Sequence, residues 1–302
     1  MLKIQELKKF SVIIPNLNSP TIDKTIISLE NQAINQKWFE VIIVGMDTHN
    51  LIIENELIKF IRSRNPMSPA KARNVGAKQA NGEILVFLDA DCQPDSNWLR
   101  ILTERFSSPN TTIVGGGVYF AMNNYWNTVD NVTFFHEYLY FKKSGQRELL
   151  PSLNLAIRKS VFDIIGGFDE RYPSPSGEDA DLTIRLRNAG HTLEFEPKAI
   201  VLHDSDRSRF KELLLHSYIE GKYSTKVDPR YNHEAGIPLW LRNRIGILII
   251  APILSVLVTT RIMVTPKIFK KYWYTIPFIY LSKLAWCFGA ANHFSQYNHE
   301  TT

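Results

Sequence analysis

Ile84–Asp91 reads I-L-V-F-L-D-A-D. Five apolar residues in a row describe a strand buried on both faces, as in a parallel sheet covered by helices. Two carboxylates follow, separated by one alanine, so Asp89 and Asp91 fall where the strand leaves the core. In an open α/β sheet that carboxyl end is where ligands bind. Two hard oxygen donors there suit a divalent cation and the phosphates it carries. The D-x-D spacing alone is common, and the strand ahead of it is what makes the pair informative.

The chain upstream supplies the rest of such a sheet. Phe10–Pro15 (F-S-V-I-I-P) and Phe39–Val44 (F-E-V-I-I-V) are short apolar strands. Thr21–Gln32 has apolar residues at helical spacing, and Ile52–Ile61 reads as a helix or a third strand. Ser68–Ala80 opens with Ser then Pro, an N-cap and first-turn pair, and continues as a helix. Strand and helix alternate, which predicts βαβ units. Downstream, helices are expected over Asn97–Phe106, Asp130–Tyr140 and Asp179–Asn188, and a strand turning into a helix over Leu155–Ile165. Thr112–Phe120 is a strand carrying Gly115-Gly116-Gly117, a run that suggests close approach of a backbone or ligand. Thr192–Phe195 and Ala199–Leu202 read as two short strands, and Arg209–Tyr223 as an amphipathic helix.

Composition narrows the class. At 302 residues and 44% hydrophobic, the chain can build one large domain with an appendage. Lys+Arg exceeds Asp+Glu by 35 to 30, with most of the excess near the C-terminal apolar segments, which suits an anionic membrane surface. No basic stripe with interleaved aromatics is present, so nucleic acid is not an expected partner. Cys92 and Cys287 stand far apart in unlike contexts. They read as neither a disulfide framework nor a metal-ligand pair, and imply a reducing compartment. The charged N-terminus lacks an apolar core and does not read as a secretory signal.

Three further groups bear chemistry. Gly177-Glu178-Asp179-Ala180-Asp181 leads into a helix after the loop Pro173-Ser174-Pro175-Ser176. Acids are ordinary at helix N-termini, yet a carboxylate delivered by a loop is also well placed as a general base. His203 follows a short strand and is a candidate metal ligand beside the aspartates, whereas His49, His191 and His216 read as surface residues. Lys71-Ala72-Arg73-Asn74-Val75-Gly76 sets cations near the sheet's carboxyl end. Lys71 and Asn74 share a helix face there, for phosphates or a nucleobase or simply for solvent.

The ordered set S-V-I-I-P-N-L-N, E-V-I-I-V, A-K-A-R-N-V-G-A-K-Q-A-N-G-E-I-L-V-F-L-D-A-D, G-G-F-D-E-R-Y and G-E-D-A-D-L-T-I-R-L-R-N-A-G-H closely resembles the family 2 glycosyltransferases, over roughly Phe10–Asp204. The resemblance implies an α/β GT-A fold: a Rossmann-like, mostly parallel sheet flanked by helices, here with a C-terminal helical membrane-associated appendage. It implies inverting transfer of a sugar from a nucleotide diphosphate donor to a hydroxyl. Asp91, Asp89 and His203 would hold Mg²⁺ or Mn²⁺, with Asp89 also reaching the ribose. Asp179 would be the base, with Glu178 supporting it. Pro15, Asn16 and Asn18 would line the nucleotide pocket, Arg73 and Asn74 would face the base or ribose, and Asn154 the donor sugar or acceptor. The family shows a second acid after its second strand; here Met46 takes that place and Asp47 follows, so Asp47 is the candidate base reader and the donor nucleotide stays open.

The tail also resembles that of some members, ending in the element Trp286-Cys287-Phe288-Gly289. Its uncharged run Ile245–Thr260 would cover only ~24 Å as a helix, short of a span. Lys267, Lys270 and Lys271 in the connecting loop run against the positive-inside tendency for two spans. A shallow, interface-embedded hairpin is the expectation, with two spans as the alternative. The expected division is 1–207 for the glycosyltransferase domain, 208–240 for a connecting helix and linker, and 241–302 for the hairpin, at the cytoplasmic face of the cell membrane. Partners would be a nucleotide-sugar donor, a glycan or lipid-linked acceptor and the membrane surface. A second reading is a catalytically silent nucleotide-sugar binder within a membrane glycan assembly.

Overall fold

The computed structural model describes residues 9–122, 124–224, 228–231 and 243–300. The chain divides into two compact units, one of residues 1–119 and 138–204, the other of residues 120–137 and 205–302. Residues 225–227 and 232–240 of the expected linker, and 241–242 of the expected hairpin, lie outside the described residues.

The first unit is built on one sheet of nine strands. β1 (Phe10–Leu17), β2 (Phe39–Met46), β3 (Ile58–Arg62) and β4 (Ile84–Leu88) pair in parallel in the order β3-β2-β1-β4. All five residues of β4 are buried, which accounts for its unbroken apolar run. Beyond β4 the sheet is mixed. β8 (Asn154–Arg158) runs antiparallel to β4 and to β6 (Ile113–Tyr119). β6 pairs in parallel with β9 (Leu193–His203), which carries β5 (Cys92–Pro94) and β7 (Gly145–Gln146) in antiparallel pairing. β9 is one continuous strand, where the sequence reading expected two. The β6 register jumps between Gly116 and Gly117, so the extra residues at Pro197-Lys198-Ala199 bulge without ending the strand. The glycine run on β6 answers that bulge: a Cβ on Gly117 would overlap the Pro197 carbonyl, and one on Gly116 the Ala199 carbonyl.

Helices α1 (Ile22–Glu30), α2 (Pro69–Gln79), α3 (Trp98–Arg105), α5 (Lys159–Ile165) and α6 (Glu178–Asn188) complete this unit. The Ser68 hydroxyl accepts from the Lys71 amide and Pro69 opens α2, as the Ser-Pro pair predicts. Phe87, Phe162 and Phe168 form an aromatic cluster in the core beneath α2 and α6.

The second unit is helical among its described residues: α4 (Tyr125–Phe135), α7 (Phe210–Lys222), α8 (Arg244–Met263), α9 (Pro266–Tyr272) and α10 (Ile276–Glu300). α4 starts five residues before the predicted helix, because the Asn124 side chain caps it by accepting from the Trp126 and Asn127 amides. α8 runs 20 residues, longer than the uncharged stretch and ~30 Å at helical rise, so it meets the length and composition of a membrane span. It buries Gly246, Ile247, Ala251, Ser255 and Thr259 at helical spacing. Its opposite face leaves Ile245, Ile249, Ile253, Val256 and Leu257 more than half exposed. α10 passes Lys283 without a break, and that ammonium lies over the Phe134 ring. α7 and α10 meet backbone to backbone: a Cβ on Gly221 would overlap the Trp286 carbonyl, and one on Gly289 the Tyr218 carbonyl.

Candidate active site

β4 ends at Leu88, and the Asp89–Asp91 turn joins it to β5. The Ala90 carbonyl accepts from the hydroxyls of Thr25 and Ser19, and the Asp89 carbonyl accepts from the Cys92 amide. The Asp204 amide donates to the Asp91 carbonyl at 2.9 Å, which ties the turn to the end of β9. The Asp91 and His203 side chains meet there, with Oδ2 3.6 Å from Nε2. Cys92 lies directly opposite His203 in the β5–β9 ladder, and its Sγ is 3.9 Å from Asp91 Oδ1. The ligand atoms of Asp91, Cys92 and His203 all lie within 4.8 Å of one another. Sequence reading set Cys92 aside as no ligand; no local spacing relates it to a histidine 111 positions on, and only the antiparallel register joins them. A carboxylate, an imidazole and a thiol form a donor set that fits a divalent cation.

Arg73 links this turn to the second acidic motif. It is a buried residue of α2 whose Nη2 donates to Asp89 Oδ1 at 2.7 Å and whose Nη1 donates to Glu178 Oε1 at 2.9 Å. Burial works against the guanidinium, but Asp89 and Glu178 outweigh it and hold its pKa above the usual value. Glu178, the first residue of α6, is also buried, and its Oε2 has no hydrogen-bond partner. Burial and the neighbouring Asp179 charge push the Glu178 carboxyl up to about 8, against the pull of Arg73. Asp179 is half-buried; its Oδ1 accepts from the Ala180 amide at 2.7 Å and its Oδ2 from the Ser152 amide at 3.2 Å.

The other sequence candidates fall in two groups. At the ends of β1 and β2, the Asn16 side chain and the Asn18 amide both donate to the Met46 carbonyl, beside the half-buried Pro15. Asn18 has φ +57° and its Oδ1 accepts from the Thr48 amide. Asp47 Oδ2 accepts from the Ile52 amide, while its Oδ1 is buried with no partner. Away from these strand ends, Asn154 is buried in β8, accepting from Trp98 Nε1 and donating to the Gly117 and Ala199 carbonyls. Asn74 exchanges hydrogen bonds with the Phe168 backbone and donates to Glu170. Arg73, Asn74 and Asn154 are thus buried and hydrogen-bonded to protein partners, and Lys71 stands exposed on α2. His216, read from sequence as a surface residue, is largely buried in the second unit, with Nδ1 2.7 Å from Asp130 Oδ1.

A parallel β3-β2-β1-β4 half with acidic loops at its strand ends defines a GT-A glycosyltransferase fold. The chain belongs to the glycosyl transferase family 2, whose model matches residues 11–164. It is 27% identical over 226 residues to glycosyltransferase AglE of Haloferax volcanii, covering 72% of this chain and 73% of that one. It is 33% identical over 157 residues to the pre-mycofactocin glycosyltransferase of Mycobacterium tuberculosis, covering 49% of this chain and 32% of that one. Among solved structures, the Pyrobaculum calidifontis mannosyltransferase PcManGT, in complex with GDP-Man and Mn²⁺, superposes with a TM-score of 0.57 at 15% identity, over 91% of this chain and 85% of that one. GalNAc-T7 with UDP, GalNAc and Mn²⁺ gives 0.55 at 17% identity, over 78% of this chain and 52% of that one.

Proposed function

We propose that this glycosyltransferase moves a sugar from a nucleotide diphosphate donor to an acceptor hydroxyl with inversion at the anomeric carbon. The observation that carries the reading is Arg73, which ties the Asp89 end of the D-x-D turn to Glu178 beside Asp179. Through it one rigid frame sets the diphosphate side of the reaction against a base. Asp91 and His203 would hold a divalent ion, Mn²⁺ or Mg²⁺, which would stabilise the charge on the departing diphosphate. Mn²⁺ accompanies the nucleotide in both structural relatives described above. Asp89 stays mainly with Arg73 and contacts the nucleotide. Asp179 accepts the acceptor's proton as the new glycosidic bond forms and the bond to the diphosphate breaks. Glu178 supports it by keeping the guanidinium in place. Asn16, Asn18 and the unpartnered Asp47 Oδ1 serve the nucleoside, with Asp47 accepting from a base N–H.

The acceptor is a glycan or lipid-linked precursor at the cytoplasmic membrane face. The apolar outer face of α8 supports this, with exposed Lys267, Lys270 and Lys271 on α9 suited to anionic headgroups. Release of nucleoside diphosphate from a panel of UDP-, GDP- and dTDP-sugars with Mn²⁺ tests the activity. Turnover with at least one donor is expected, and nucleotide binding without turnover on any donor would instead support a silent binder. Co-flotation with anionic but not neutral vesicles tests the membrane reading.

A further inference from the structure

We propose that the Cys92 thiol is a third protein donor to the divalent cation, so that the site is a carboxylate–thiolate–imidazole one that favours thiophilic ions over Mg²⁺. The inference rests on the reading that Asp91 and His203 hold the ion. Opposite residues of an antiparallel pair share one face of the sheet, so β-ladder pairing points Cys92 and His203 the same way. The Asp91 carboxylate then lies between them, one oxygen 3.6 Å from the imidazole nitrogen and the other 3.9 Å from the sulfur. Donors at about 2.0–2.3 Å from a tetrahedral ion stand roughly 3.3–3.6 Å apart. The three groups therefore need only small movements to share one ion.

The position is also built rather than incidental. Cys92 and His203 are buried, and the backbone on both sides is pinned, by the Cys92 amide to the Asp89 carbonyl and the Asp204 amide to the Asp91 carbonyl. Asp89 is engaged elsewhere through one oxygen, because its Oδ1 accepts from the buried Arg73. A soft sulfur thus takes the place an oxygen would hold in a Mg²⁺ site. Binding forms the metal–sulfur bond and releases the thiol proton to solvent.

Co²⁺ titration of the full-length protein, followed by absorption, tests this without reference to transfer. A near-ultraviolet sulfur-to-cobalt band is expected in the wild type, alongside the visible d–d bands. Cys92→Ser should lose the charge-transfer band and retain the d–d bands. Cys287→Ser, in the other unit, should keep both, and these are the only two cysteines. Cys92→Ser should also lower Cd²⁺ affinity at least about tenfold with little change for Mg²⁺. Should the Ser variant not fold, the wild-type spectrum alone decides. Saturable d–d bands with no sulfur band overturn the inference and leave the Asp91–His203 metal reading standing. No cobalt spectrum of any kind overturns both.

Discussion

Each unit holds a charged trio around a buried hub, and the two trios are finished differently. In the helical unit one carboxylate faces two cations: Asp130 Oδ2 accepts from Arg207 Nε at 2.8 Å and Oδ1 pairs with His216 Nδ1 at 2.7 Å. Both oxygens are matched, and despite burial the neighbouring His216 and Arg207 charges hold the Asp130 pKa far below the carboxylate range. His216 is raised in turn, because Asp130 outweighs its burial. In the sheet unit one cation faces two carboxylates, and the set is incomplete: Arg73 Nε and Glu178 Oε2 are buried with no partner. A buried polar atom without a partner costs about 1–3 kcal/mol. A complete trio is what fold stability alone would select. The open one stands between two acidic motifs, where unmatched atoms can be satisfied by a substrate or a change of charge.

The largest expected effect tests the catalytic side. Asp179→Asn should cut transfer by ~10²–10⁴-fold while nucleotide binding, measured by equilibrium titration, survives. Loss of binding instead would move Asp179 into the donor pocket and weaken its contrast with the structural trio.

Removing the hub of each trio comes next. Arg73→Leu and Asp130→Leu should each destabilise their unit by ~3–5 kcal/mol at a pH where the partner left behind, Glu178 or His216, is ionised, since each then strands a buried charge. Their pH dependence should be opposite. Arg73→Leu leaves Glu178 able to take up a proton, so its cost should shrink toward acid. Asp130→Leu leaves His216 beside Arg207, and its cost should shrink as His216 loses its proton toward alkali. Urea unfolding at several pH values reads both, and parallel slopes would erase the distinction.

The smallest effect is in the wild type. His216 is raised above its unfolded value near 6.5, so its stabilisation is full below about pH 6.5 and is lost as pH rises through the folded value. Asp130 is lowered, so its contribution is present above about pH 4 and is lost on acidification. Glu178, raised to about 8, favours the fold below its unfolded value near 4.5 and loses that contribution as pH rises through about 8. Unfolding midpoints should therefore fall from pH 6 to pH 9, and Glu178→Gln should flatten part of that slope.

Local pattern made the parallel half of the sheet readable, because β1, β2 and β4 are buried on both faces and so are written as apolar runs. β9 was harder: Pro197 reads as a terminator, and only the bulge opposite Gly117 explains how the strand survives it. β3 is too short for periodicity to separate strand from helix. Among the site residues, each acidic motif could be found on its own. Their joining by Arg73 could not, since a guanidinium's partners are set by tertiary packing and not by helix position. The same holds for Cys92, whose role depends on which residue the ladder places opposite it.

The crossing of α7 and α10 has an evolutionary consequence. Gly221 and Gly289 each face the other helix's main chain, not a side chain that could shrink in reply. No second substitution on the partner helix can make room for a methyl group at either position. Each glycine is therefore fixed on its own account, and a chimera that exchanges α10 for a relative's should keep this crossing only if the incoming helix brings a glycine at position 289.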